Sequence, residues 1–421
     1  MSCLQRGRVL VAGVGACVVL AAAIDARAAN PNCSSLPGTL IYGAGGSSQQ
    51  PIIGTLATQL AALASPVTII YSDSGSACAG YSDLVTPTPA TGTALYWTAA
   101  GVQSSCQLDA GGDPVTFAVM GNAPNLCSGF TGLSAGFGQF LGPVQPIDFV
   151  VPSSQTSQES ISTEAAYYIW GFGASDAERT VNPWNTPANI FTRSASSFVT
   201  LFVGLDTGVP AATVAATHTV EPNNQGTVTA LSALNGTAGA ASGIGAVSGE
   251  VADGNRSAIS VLAYQHTGQS CGYWPDSTPE SFDKENVRSG QYWLWSPVHL
   301  FAAVDQTGNP TDPNTKSLIG YLTGSVTAPA GVNVFAAELA AYTVPQCAMH
   351  VWRDGDLAPL YSFQPPASCS CQFDFAENTA HALVPSTCTT CTTDSDCATN
   401  HCRSIGTGAD AGANAGYCEV N

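Results

Sequence analysis

Followed along its apolar and polar positions, the chain opens with one long apolar run and then settles into short apolar segments separated by glycine- and serine-rich loops. The opening run, Val9 to Ile24, follows Arg6 and Arg8 and precedes Ala26-Arg27-Ala28, the three-part layout of a secretory signal. It is shorter than the ~20 residues that span a bilayer, and no later segment is long and apolar enough to do so. Residues 1–28 are therefore expected to be a signal peptide, with the exported chain beginning near Ala29. Beyond it, Thr39 to Tyr42 predicts a strand, Gly43 to Ser48 a flexible loop, and Pro51 suits the first turn of a helix. Ile52, Ile53, Leu56, Leu60 and Leu63 recur at helical spacing, and Val67 to Tyr71 predicts the next strand. Two strands joined by one crossing helix should run parallel.

The pattern recurs. Val115 to Met120 predicts a strand ending at Gly121-Asn122-Ala123-Pro124. Asn189 to Arg193 predicts another, running into Ser194-Ala195-Ser196-Ser197, with Phe198, Leu201, Phe202 and Leu205 as a helical stripe behind it. Ligands of open α/β sheets lie outside the carboxyl ends of the strands, where such loops gather. A loop that begins a helix also presents unpaired N–H groups and the positive end of a dipole, so it can hold an anion without lysine.

Charge makes that point matter. Only 10% of the 421 residues are charged, and the chain carries 11 Lys and Arg against 29 Asp and Glu. Setting aside the three Arg and one Asp of the signal leaves 8 basic and 28 acidic groups, a net −20. The lysines are two, Lys284 and Lys316. Phosphate backbones and anionic lipid surfaces are held by clustered Lys and Arg, so nucleic acid and membrane surface are excluded as partners.

Cysteine use agrees with export. Fifteen cysteines less Cys3 and Cys17 leave thirteen: Cys33, Cys78, Cys106, Cys127, Cys271, Cys347, Cys369, Cys371, Cys388, Cys391, Cys397, Cys402 and Cys418. All are disulfide candidates in an oxidising compartment, and an odd number leaves at least one thiol free or bonded to another chain. Five fall in residues 388–421, among Thr, Asp, Gly and Ala, too little apolar material for a core. That tail is expected to be a small module stapled by disulfides. Zinc is the competing reading of its spacing. A surface that docks a partner is the functional alternative to a mere end-staple.

These segments, in this order, resemble the phosphate-type periplasmic substrate-binding proteins. Gly43-Ala44-Gly45-Gly46-Ser47-Ser48-Gln49-Gln50-Pro51 is similar to the family's first ligand loop and Tyr71-Ser72-Asp73-Ser74-Gly75-Ser76 to its second. Ile147 to Pro152 is similar to the strand that crosses into the second lobe, Arg193 to Ser197 to the last ligand loop, and Phe282 to Arg288 with Tyr292 to His299 to the return toward the first lobe. The resemblance implies an α/β, two-lobed type 2 periplasmic binding protein fold, each lobe a mostly parallel sheet flanked by helices, closing like a hinge around an oxyanion. It implies lobe 1 at 29–146, lobe 2 at 147–287, a return to lobe 1 at 288–375 and a cysteine-rich tail at 376–421. The implied ligand residues are Ser47, Ser48, Gly75, Ser76, Asn122, Arg193, Ser194 and Ser197.

Three positions depart from the family. Its aspartate, which accepts the proton of the bound anion, is here Asn122, which can donate as well as accept. Its Ser-Gly-Thr after the arginine reads Ser197-Phe198-Val199, without the second hydroxyl or the glycine that permits close backbone approach. The expectation is the fold with its ligand specificity altered or lost. Against the ligand reading stand two simpler ones: glycine and serine merely make turns, and Arg193 pairs with an acidic group.

Other motifs are weaker. Gly132-Leu133-Ser134-Ala135-Gly136 matches the pattern of a hydrolase nucleophile but lacks a strand before and a helix after it. The loop at 43–48 has Ser48 where a dinucleotide fingerprint needs its third glycine. The histidines, at 218, 266, 299, 350, 381 and 401, show no paired metal spacing. Tyr292, Trp293 and Trp295 suit core or hinge packing, or stacking on a ligand such as a sugar. No residue is given a catalytic role, and no cofactor or metal is expected. Two functions remain. One is an extracytoplasmic solute-binding protein for a small anionic solute, with an ABC permease or cell-envelope component as partner. The other is a non-transport surface or secreted interaction protein that uses the fold as a scaffold.

Overall fold

A computed structural model describes residues 30–73, 76–86, 89–172, 179–216, 218–380, 388–399, 401–404 and 416–419. The signal at 1–28 lies outside them, as do Gly75 and His381. In chain order the strands of the body are β1 (Thr39–Gly45), β2 (Val67–Asp73), β3 (Thr93–Trp97), β4 (Gln103–Gln107), β5 (Phe117–Met120), β6 (Phe137–Pro152), β7 (Ser160–Ser162), β8 (Ile190–Thr192), β9 (Thr219–Val220), β10 (Ile244–Ser248), β11 (Ile259–Val261), β12 (Ala263–Gln265) and β13 (Trp295–Ala303). The helices are α1 (Gln50–Ala61), α2 (Ala77–Val85), α3 (Thr163–Phe172), α4 (Phe198–Thr207), α5 (Ala211–Ala216), α6 (Asn224–Ser232), α7 (Gly249–Asp253), α8 (Glu285–Arg288), α9 (Pro313–Leu322), α10 (Val334–Ala340) and α11 (Ser370–Ala380).

One sheet carries both halves of the body, in the order β4-β3-β2-β1-β5-β13-β6-β10-β8-β9, with β11 also on β6. The first half is built on β1, parallel to β2 and to β5, and the second on β8, parallel to β10 and β9. Between them β13 and β6 run antiparallel to each other and to their outer neighbours. β6 is the joint: its first part pairs with β13 and its last part with β10 and β11. This is the α/β architecture that the resemblance implies, built as one continuous sheet with parallel strands at the heart of each half and antiparallel strands where the halves meet.

The helical periodicity around α1 has its expected outcome. Ile52, Ile53, Leu56 and Leu60 are buried against Ile41, Ile69 and Tyr71 of the strands beneath them, each contributing roughly 1.5–3 kcal/mol of hydrophobic stabilisation. Pro51 stands in the first turn. The stripe on α4 is shifted from the expected one. Phe198, Val199, Phe202 and Val203 face the core, whereas Leu205 is exposed. Tyr292 and Trp295 are buried in the core and Trp293 stacks on His266, its ring centroid 4.4 Å away, so all three serve packing.

Twelve cysteines pair: Cys33–Cys106, Cys78–Cys127, Cys347–Cys369, Cys371–Cys388, Cys391–Cys402 and Cys397–Cys418. Cys271, a candidate for pairing, is instead an exposed free thiol, the leftover an odd number requires. In the tail, Thr390–Cys391, Gly416–Cys418 and Cys402–Ser404 form a small antiparallel sheet. Cys391, Cys397 and Cys418 bring their sulfurs within 4.8 Å because two disulfides lie side by side. The tail is fastened to the body as well. The buried Glu419 carboxylate accepts from the backbone N–H groups of Cys371 and Gln372, at 3.0 and 2.9 Å, in the first turn of α11, where the helix dipole favours negative charge. Among the described residues no helix is long and apolar enough to cross a membrane.

Candidate functional site

Four loops converge on one cavity, lined by Gly46, Ser47, Ser48, Ser76, Arg193, Ser197, Phe198, Val199 and Asn224. Its volume is about 20 Å³, on a measure in which one water needs roughly 10–15 Å³. Every loop enters from the carboxyl end of a parallel strand and leads into a helix: β1 into α1, β2 into α2, β8 into α4 and, after β9, the turn into α6. The caps are made by serine and asparagine, residue types suited to that position. Ser76 Oγ accepts from Ala79 N at 3.2 Å, Ser197 Oγ from Thr200 N at 3.3 Å, and Asn223 Oδ1 from Gly226 N at 2.7 Å. The cavity is thus ringed by the positive ends of helices, a preformed environment for negative charge.

Arg193 follows β8 and is only 5% exposed. Its Nη1 donates to the carbonyl of Glu221 at 3.1 Å, its Nε has no partner, and among the described residues it forms no ion pair. Burial lowers its pKa from the ordinary arginine value, while Asp73 and Glu221 act in the opposite direction. A guanidinium remains charged in proteins, and this one has unused donor capacity at the cavity wall. The lysines are engaged elsewhere. Lys284 is buried between Asp253 and Asp276, at 2.7 and 2.8 Å, in a cluster completed by Arg256, and Lys316 is exposed on α9.

A chain of side-chain hydrogen bonds runs behind the cavity from one wall to the other. Ser48 Oγ donates to Gln49 Oε1 at 2.9 Å, Gln49 Nε2 to Gln145 Oε1 at 3.2 Å, and Gln145 Nε2 to Glu250 Oε2 at 2.6 Å. Ser248 Oγ donates to Glu250 Oε1, and Asn224 Nδ2 donates to Ser248 Oγ at 2.5 Å. The chain links the loop after β1, the joint strand β6 and the α6 and α7 termini. Asn224 is left with an unpartnered buried Oδ1. Burial pushes the Glu250 carboxyl up to about 8, against the donors that Ser248 and Gln145 supply.

Of the expected ligand residues, Ser47, Ser48, Ser76, Arg193 and Ser197 line the cavity. Asn122 and Ser194 do not. Asn122 is fully buried and turned toward its own loop, its Nδ2 donating to Ala123 O at 3.0 Å and to Cys127 Sγ at 3.6 Å. The Cys78–Cys127 disulfide fixes the sulfur that holds it there. Ser194 acts through its backbone, its carbonyl accepting from Ser197 N at 2.9 Å. Gly46, Phe198, Val199 and Asn224 line the cavity without belonging to the expected set; the first three adjoin expected residues, whereas the only sequence signal for Asn224 is the Asn223-Asn224 pair after Pro222 at a helix start.

Neither enzyme-like constellation has working geometry. Ser134 sits in a loop that leads into β6, with no helix after it. Ser296, His299 and Asp356 meet, but Ser296 Oγ, at 3.3 Å, and Asp356 Oδ1, at 3.2 Å, share one ring nitrogen, Nε2, while Nδ1 is unpartnered. A relay needs the carboxylate and the hydroxyl on opposite nitrogens.

No family model and no curated protein matches the chain. Among solved structures it is similar to an ABC-type phosphate transport receptor from Vibrio cholerae, at 16% identity and a TM-score of 0.47, covering 73% of this chain and 100% of the other. It is similar to a putative phosphate ABC transporter substrate-binding protein from Clostridium perfringens, at 12% and 0.46, covering 73% and 99%. The OxyR regulatory domain from Pseudomonas aeruginosa is a further match, at 10% and 0.37, covering 69% and 98%.

Proposed function

We propose that this chain is an exported solute-binding protein whose cavity captures a small, phosphate-like oxyanion. The observation that carries the reading is Arg193: a buried guanidinium without an ion pair, opening onto a cavity ringed by helix N-termini and serine hydroxyls. A buried charge is costly unless paired, and an oxyanion would supply the partner that the described residues do not. Ser47, Ser48, Ser76, Ser197 and the first amides of α4 would complete its hydrogen bonds, with hinge movement about β6 and β13 admitting and enclosing it. Lobe 1 would comprise 29–146 and 288–375, and lobe 2 147–287. The six disulfides support an oxidising, extracytoplasmic location. The partner this reading calls for is an ABC permease or another cell-envelope component. Isothermal titration calorimetry of the mature chain with phosphate and with sulfate tests it: saturable binding of either anion supports the reading, and absence of binding up to millimolar anion overturns it.

One observation favours the second reading, a scaffold without transport. Phe198 closes over Gly121 and helps to leave a cavity of only about 20 Å³. On that reading no anion binds and the body presents surfaces to a protein partner instead.

A further inference from the structure

A second cavity, of about 480 Å³, shares no residue with the first. Its walls come from the end of α9, from α10, and from the segments around 345–347 and 363–367. The Cys347–Cys369 disulfide ties those last two segments together, and Gln346 Nε2 donates to the carbonyl of Gly142 at 2.9 Å, so the walls are braced before anything enters. The volume falls in the range of small-molecule sites, about 300–1,000 Å³. Tyr321, Phe335, Phe363, Pro345 and Pro365 make the lining largely aromatic and apolar.

One wall residue does not fit an apolar cavity. Glu338, on α10, is 8% exposed, and no cation or hydrogen-bond donor among the described residues meets its carboxyl. Burial alone pushes that carboxyl up to about 8; no neighbouring charge contributes. An acid in such a place stays protonated unless a cation meets it, and core packing alone would be better served by an apolar side chain.

We propose that this cavity is a binding site for a small apolar ammonium ion, its protonated nitrogen paired with Glu338 and its aromatic or aliphatic body lying against Tyr321, Phe335 and Phe363. The other ligand classes fit less well. An anion gains no counter-charge from a carboxyl that burial keeps protonated, a neutral apolar molecule gives that carboxyl no reason to ionise, and a bare hydrated cation leaves the aromatic wall uncovered. An amine with an apolar body satisfies both demands, and the rings add attraction for the cation.

The test uses three probes of similar size on the mature chain: 2-phenylethylamine, its neutral counterpart 2-phenylethanol, and the anion 3-phenylpropanoate. Calorimetry is expected to show saturable binding of the amine, much weaker binding of the alcohol and none of the carboxylate. E338Q, which keeps the side chain's shape, is expected to weaken the amine by roughly 10- to 100-fold while leaving any phosphate titration unchanged. If E338Q fails to fold, the order of the three probes on the natural chain decides. Equal binding of the probes, no binding of the amine, or an E338Q chain that folds and binds the amine as tightly as the natural one overturns the proposal.

Discussion

Gln145 and Glu250 lie 105 positions apart in the chain and meet over 2.6 Å, the amide of one donating to the carboxyl of the other. Gln145 belongs to β6, the strand shared by both halves, and Glu250 to α7. Through Gln49 and Ser248 the pair reaches Ser48 and Asn224 on opposite walls of the cavity. The cavity is therefore backed by polar groups that hold one another in place, and a buried network of this kind is stable only while each member keeps its partner.

Buried carboxyls, Glu250 of that network among them, make stability fall as pH rises. Burial raises the Glu250, Glu338 and Glu377 carboxyls to about 8 and Asp148 to about 7. A raised carboxyl means that the folded chain holds protons which the unfolded chain releases from about pH 4 upward. Their stabilising effect is full below that point and is lost as pH climbs through the folded values. The urea midpoint is expected to fall between about pH 5 and pH 8.5, and Glu250→Gln to make that fall shallower. A midpoint that rises over the same window contradicts the assignment.

Close approach at Gly121 yields a second expectation. A Cβ there would lie 2.6 Å from the ring of Phe198, which lines the cavity from the first turn of α4. Gly121→Ala has to displace that ring, at a cost of about 1–3 kcal/mol, and should weaken any anion bound beside it. Urea denaturation and anion titration of the variant check both effects; unchanged stability would mean that the ring shifts freely.

The disulfide pattern gives a simple count. In the chain from residue 30 onward, twelve cysteines are bonded and Cys271 is exposed. A thiol reagent should titrate one group per native chain, and none in Cys271→Ser. Two or more reactive thiols without reduction would show that the tail or the body is incompletely bonded.

Much of the site was legible because it follows local rules. Gly43 to Pro51 is a strand, a turn and a helix start within nine residues, and the serines at 76 and 197, expected on the ligand loops, stand on the cavity wall as helix caps. Arg193 stood out as the arginine at a strand end beside serines. What could not be read was long-range or directional. Nothing near Gln145 points to Glu250. Asn122 follows the right strand, but the Cys78–Cys127 bond places a sulfur beside its amide, and the side chain turns away from the cavity. Ser194 and Ser197 look alike in sequence, yet Ser197 is at the helix cap and Ser194 one turn short of it. Asn224 has no motif of its own, and only the packing of α6 beside β10 puts it on the cavity wall.

The central claim, that Arg193 is held without a counter-ion in order to meet one from solution, is tested most directly by titrating phosphate into the natural mature chain and into Arg193→Met. Saturable binding to the first is expected, with a loss of roughly 100-fold or more in the second and the fold retained by circular dichroism. Equal affinity in the two chains, or no binding to either, would contradict it.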